Sequence, residues 1–206
     1  MNQLKLDDYW PIYVICIAMI VAAVIDGWKL KVPNWLTFPI ILSGWLLGLG
    51  YDLGWLARFH PEITGEGSRL WSSIVGTFLG LGLLLPIYAI GGMGAGDVKM
   101  SMGYGAWVGA FFGLMRGTSV IFWAFCIGVV MGGVIGLGMI LYRRDLRHNL
   151  SNTQNILQDF VRSGSFAEVA EKGTERRAKE PKLPYGIPLC IGFVGYLWYH
   201  MTYGVY

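Results

Sequence analysis

The chain has 206 residues, 54% of them hydrophobic and only 14% charged, and its mean hydropathy is +0.50. An ordinary soluble domain has roughly 45–50% apolar and about 25% charged residues, so the balance argues against a soluble globular protein. The net charge of +3 is small and the basic residues are not interleaved with aromatics, so a nucleic-acid partner has little support.

Six apolar runs approach the roughly 20 residues that a helix needs to cross a bilayer core about 30 Å thick. The first spans 10–25 and ends at Asp26. Asp7 and Asp8 outweigh Lys5 before it and no small-residue cleavage site follows, so it is predicted to be a retained span and not a signal peptide. The second run, 35–51, is followed by Asp52, and the third covers 70–90. The passage Gly91-Gly92-Met93-Gly94-Ala95-Gly96-Asp97 then leads into the fourth run at 100–115, with the fifth at 118–142 and the sixth at 183–201. The predicted architecture is an all-α integral membrane protein, a bundle of about six transmembrane helices. It forms a single membrane domain over 1–206 with a polar loop at about 143–182.

Within these runs Ser101, Gly105, Gly109, Gly113 and Gly117 recur every four positions, as do Gly128, Gly132 and Gly136. Each set is predicted to lie along one helix face, where missing side chains let a neighbouring backbone come close. Cys16, Cys126 and Cys190 all sit in apolar runs without a CxxC pair, as buried small residues would. In the polar loop, Ile156, Leu157, Phe160 and Val161 have helical spacing, and Ser165 with Glu168 has the spacing of a helix cap. Either an amphipathic surface segment or a solvated linker accounts for them.

Orientation follows from the basic residues, which favour cytoplasmic loops. Lys29, Lys31, Lys99 and the nine from Arg143 to Lys182 make twelve on one side, against Lys5, Arg58, Arg69 and Arg116 on the other. The loops at 26–34, 91–99 and 143–182 are therefore expected to face the cytoplasm.

Acidic residues next to membrane spans are costly and each needs a reason. Asp26 and Asp97 are expected at the same membrane surface, and Asp52 at the opposite one. Two carboxyls held close cannot both ionise cheaply, so they share a proton, which suits aspartic proteolysis: one takes a proton from water while the other donates to the scissile carbonyl. Glycines around Asp97 would supply backbone conformations closed to other residues and room for a substrate strand. An Asp at a helix end also serves simply as a cap or an interfacial charge.

These residues carry a resemblance. Asp26-Gly27-Trp28-Lys29-Leu30-Lys31-Val32-Pro33-Asn34, then Gly94-Ala95-Gly96-Asp97-Val98-Lys99-Met100 with Gly105-Ala106-Trp107-Val108-Gly109, and finally Pro184-Tyr185-Gly186 resemble the motifs of the prepilin peptidases, membrane aspartic proteases of the GxGD class. The resemblance spans residues 26–186 and implies that Asp26 and Asp97 are the catalytic pair. Pro33, Asn34, Gly94, Gly96, Lys99, Pro184 and Gly186 are implied to shape the site or lie near the substrate. It implies a prepilin or pseudopilin substrate of a type IV pilus or protein secretion system, in the inner membrane, with no metal or organic cofactor. Larger members carry a cysteine-rich segment before the first span and also methylate the new N-terminus. With no CxxC pair here, the likeness is to the short, peptidase-only branch, and does not extend to methylation.

Other readings have less support. Tyr51-Asp52 with the later GxGD invites a presenilin-like pairing, but topology separates those aspartates. Scattered His60, His148 and His200 without HExxH do not suit a metalloprotease, and no GxSxG suits a serine protease. Gly92 to Gly96 lacks the strand that a nucleotide loop needs. A non-enzymatic transporter or assembly factor stands as the alternative from another class, and would not need Asp26 and Asp97 on one surface.

Overall fold

The computed structural model describes residues 9–29, 31–56, 67–89, 92–143 and 185–203. Among these residues there are six α-helices and no strand: α1 (Trp10–Lys29), α2 (Asn34–Asp52), α3 (Arg69–Ala89), α4 (Ala95–Phe112), α5 (Leu114–Arg143) and α6 (Gly186–Tyr203). Three are long and apolar enough to cross a membrane: α1, α3 and α5 over Leu114–Met139. The predicted loop at 143–182, including the segments around Ile156 and Ser165, lies outside the described residues apart from Arg143.

α4 is the hub. Thirteen of its 18 residues are buried, as expected of a helix wrapped by neighbours on all sides. Its tightest partner is α3. A Cβ on Gly76 would run into the carbonyl oxygen of Gly105, one on Gly80 into that of Ser101, and one on Gly109 into that of Ser72. Where helices share an apolar surrounding, contact at this range takes over from hydrophobic burial as the attraction between them. A polar bond locks the same seam, Ser73 Oγ donating to Ala106 O at 2.8 Å, and Trp45 Nε1 of α2 donates to Thr77 Oγ1 of α3 at 3.0 Å. From the other side Trp107 Nε1 donates to Ile40 O of α2 at 2.9 Å.

The small-residue stripe does not run along one helix as predicted. Gly113 adopts φ 81°, ends α4 and donates its N–H to Gly109 O at 3.0 Å, the usual work of a left-handed glycine at a helix C-terminus. Gly117 belongs to α5, where a Cβ would meet Gly109 Cα at 3.1 Å. The second stripe packs at one end only: Gly128 crosses Gly192 of α6, while a Cβ on Gly136 would meet nothing within 4 Å. Helix limits also move relative to the apolar runs. α1 continues past Asp26 to Lys29, and α4 begins before Asp97, at Ala95, because polar residues at helix ends stay helical once their backbone bonds are made.

Large apolar side chains cover the outside, among them Ile17, Leu46, Phe78 and Val130, a surface suited to lipid and costly in water. Apart from Trp123 within α5, the strongly exposed tryptophans gather at both ends. Trp28 and Trp35 sit at one, Trp55, Trp71 and Trp198 at the other, as in the aromatic belts of membrane proteins.

Candidate active site

Four pieces of backbone converge at one end of the bundle: the last turn of α1, the link from Lys31 to Pro33, and the first turns of α4 and α6. Asp26 and Asp97 are both buried there, each 4% exposed. Asp26 Oδ2 accepts the N–H of Gly186 at 3.0 Å. Asp97 is the third residue of α4, and its Oδ2 reaches back to the N–H of the capping Gly94 at 3.2 Å, the half of a capping box that a glycine cap allows. The charge of Asp26 acts on Asp97. Asp97 Oδ1 is buried and has no hydrogen-bond partner. A second buried carboxyl nearby raises the cost of ionising both together.

The surrounding residues explain the spacing. A Cβ on Gly96 would stand 2.9 Å from Val32 Cβ and 3.0 Å from Val32 N, so only glycine lets the α1–α2 link lie against α4. A Cβ on Gly186 would meet Asp26 Oδ2 at 2.8 Å and close the approach that makes its hydrogen bond. Gly94 is extended at φ −80°, ψ 153°. Gly96 is thus required for space, and neither Gly94 nor Gly96 takes the positive φ that the sequence reading offered as a second reason for them. Pro33 caps α2 with φ −74°, matching its fixed ring geometry, and turns Asn34 towards α4. Lys99 Nζ donates to Asn34 Oδ1 at 2.8 Å and lies 4.9 Å above the Phe38 ring. It therefore ties α4 to α2 and reaches Asn34, not Asp97. Pro184 lies outside the described residues.

A family model describing the type IV leader peptidase family matches residues 13–137. The chain belongs to that family. No curated protein and no solved structure matches it. The matched stretch of this leader peptidase homologue holds Asp26, Pro33, Asn34, Gly94, Gly96, Asp97 and Lys99 but stops before Gly186, which only the fold brings to Asp26.

Asp52 is elsewhere. Ending α2, it lies 18 residues beyond Asn34, roughly 27 Å along the helix. It accepts hydrogen bonds from Ser68 Oγ at 2.6 Å, Arg69 N at 2.7 Å and Leu70 N at 3.1 Å, capping α3. The geometry that a presenilin-like Asp52–Asp97 pairing needs is absent. His200 packs edge-on to Phe112 and stacks on Tyr196, and no group of three metal-ligating side chains occurs among the described residues. A cleft of ≈ 280 Å³ between α1 and α2, lined by Val14, Ala18, Leu36, Pro39 and Trp107, is apolar and holds neither carboxyl.

Val32, Phe38 and Ser101 were not singled out as site residues from the sequence. Val32 stands inside the quoted Asp26–Asn34 motif, a usable signal. Phe38 gave none, because its partner Lys99 comes from another helix, and Ser101 gave none, because it is a buried hydroxyl without a hydrogen-bond partner.

Proposed function

We propose that this chain is a six-span membrane aspartic endopeptidase that removes the short basic leader of prepilin-like proteins at the cytoplasmic membrane surface. The observation that carries the reading is the burial of Asp26 and Asp97 at one end of the bundle, each with one backbone N–H and each within the other's field. Family membership supports leader-peptide chemistry, and the two tryptophan girdles with the twelve-to-four split of basic residues support the span count and orientation. The single membrane domain, with its polar stretch at 143–182, lies in the inner membrane. Its partners are the bilayer and a prepilin or pseudopilin whose basic leader stays cytoplasmic by the same charge rule.

In the reaction, the ionised carboxyl takes a proton from water as the water oxygen attacks the scissile carbonyl carbon, and the protonated carboxyl gives its proton to the carbonyl oxygen. As the resulting diol collapses, one of its hydroxyls returns a proton to the carboxylate that had donated it, the C–N bond breaks, and the departing amine takes the proton that came from water. Both carboxyls then return to their starting states without a covalent intermediate. N–H groups from Gly186 and Gly94 stabilise whichever carboxylate is charged. Pro33, Asn34, Gly96 and Lys99 hold the link and the two helices in register.

Co-expression with candidate pilin-like proteins, scored by mobility shift, tests the reading. The parent removes the leader, and Asp26→Asn and Asp97→Asn, at matched levels of folded membrane protein, do not. Normal cleavage by both variants overturns it.

A further inference from the structure

The buried serine and threonine hydroxyls described in this bundle have partners, with one exception. Thr37 donates to Asn34 O, Ser72 to Ser68 O, Ser73 to Ala106 O and Thr77 to Ser73 O. Among the described buried serines and threonines, Ser101 is the exception: it is 1% exposed and its Oγ has no hydrogen-bond partner. The carbonyl one turn back, which Ser72 and Thr77 use in their own helices, is that of Asp97. One turn back on α4 there is also a second unpartnered buried oxygen, Asp97 Oδ1.

Residues four apart on a helix have Cβ atoms about 5–6 Å from each other, and Cα–Cβ bonds lean towards the helix N-terminus. The Ser101 side chain therefore leans towards the turn that carries Asp97, and since the two oxygens are not hydrogen-bonded to each other, a single water bridging them satisfies both. We infer that Ser101 is a positioning residue for Asp97, holding Oδ1 in place through its hydroxyl; the inference rests on the reading of Asp97 as half of the dyad. A hydroxyl suits this work better than an N–H. It donates to the ionised carboxyl and accepts from the protonated one, whereas the Gly94 N–H serves the anion alone. Ser101 thereby keeps the carboxyl oriented while the proton comes and goes. The same residue serves the packing seam through its backbone, since a Cβ on Gly80 would meet Ser101 C at 2.8 Å.

The test uses the full-length chain and a pilin-like protein whose leader the parent removes. Ser101→Ala keeps the small side chain and removes the hydroxyl. Ser101→Thr and Ser101→Val share one shape and differ only in the hydroxyl, so their comparison cancels any packing cost. Expected are a kcat about 3- to 10-fold lower for Ser101→Ala with KM unchanged, the size of one lost hydrogen bond, and a similar advantage of Thr over Val. Parental kcat in Ser101→Ala, equal kcat in the Thr and Val variants, or a change confined to KM overturns the inference. Asp97→Asn in the same assay separates the two readings. If it is inactive while Ser101→Ala has full kcat, this inference alone fails; if it cleaves normally, the dyad fails and takes this inference with it.

Discussion

Two aspartates at opposite ends of the bundle put one side chain to opposite uses. Asp52 is exposed and its two oxygens accept three hydrogen bonds from the start of α3. Asp97 is buried, one oxygen takes a single N–H, the other has none, and a second carboxyl bears on it. The first arrangement leaves no capacity for chemistry: the charge is solvated, matched to a helix N-terminus and stable as an anion. The second holds a buried carboxyl with one oxygen left unpaired. Saturation of the hydrogen bonds, more than the residue type, distinguishes Asp52 from Asp97, and under the proposed function it is the unsaturated carboxyl that exchanges a proton.

Removing the charge at each end breaks the comparison most sharply. Asp26→Asn and Asp97→Asn should each lower the initial rate of leader removal by about 10³-fold or more, and the double variant should be hardly slower, because groups that act as a unit are not additive. Asp52→Asn should cleave at close to the parental rate and instead lose about 0.3–1 kcal/mol of stability through loss of the negative charge at the start of α3, read as a lower thermal midpoint. A folded but inactive Asp52→Asn chain would erase the contrast.

Space around the carboxyls gives the next largest effect. Gly186→Ala sets a methyl against the Asp26 carboxyl, which must turn aside and give up its hydrogen bond, and Gly96→Ala sets one against Val32 Cβ and the Val32 backbone, which cannot turn aside. Displacement of a reacting group by about 1 Å costs on the order of 10²-fold, so both should cleave about 10- to 100-fold more slowly. Gly94→Ala, at 3.3 Å from Asp97 Oδ2 and with an ordinary backbone, should lose far less, and Gly82→Ala, which meets nothing within 4 Å, should lose nothing. A Gly94→Ala loss equal to that of Gly186→Ala would mean that backbone freedom, and not room, is what these glycines provide.

The same contrast separates what was legible in the sequence from what was not. Asp26 to Asn34 and Gly94 to Lys99 are continuous stretches, each tied to a helix end by its own proline or glycines, so their chemistry could be read locally. The contact between Gly186 and Asp26 joins residues 160 apart, and Pro184-Tyr185-Gly186 entered by resemblance alone. The turn at Gly113 escaped notice because a four-residue repeat of small side chains runs unbroken through it, and a repeat cannot show that one glycine has left the helix. Ser101 belonged to that repeat and was counted for its size. Its hydroxyl mattered only once burial removed every other partner.

The smallest expected effect concerns the tie between α4 and α2. Lys99 carries one hydrogen bond to Asn34 and one cation–π contact with Phe38 at a partly exposed position, each of roughly 0.5–1 kcal/mol in such surroundings. Lys99→Met keeps the aliphatic stem and removes both, and Asn34→Leu removes the acceptor. If the pair acts by holding the α2 start in register with the Asp97 turn, each single variant should lower kcat about 2- to 5-fold with KM unchanged, and the double variant should match the worse single one, since residues in one contact do not add. If Lys99 acted through its charge on the basic leader, Lys99→Met would change KM and its salt dependence, Asn34→Leu would not, and the two losses would multiply. The double-variant cycle thus decides whether this lysine works as a strut between helices or as a charge felt by the substrate. The hydrogen bond at 2.8 Å to a neutral side chain favours the strut.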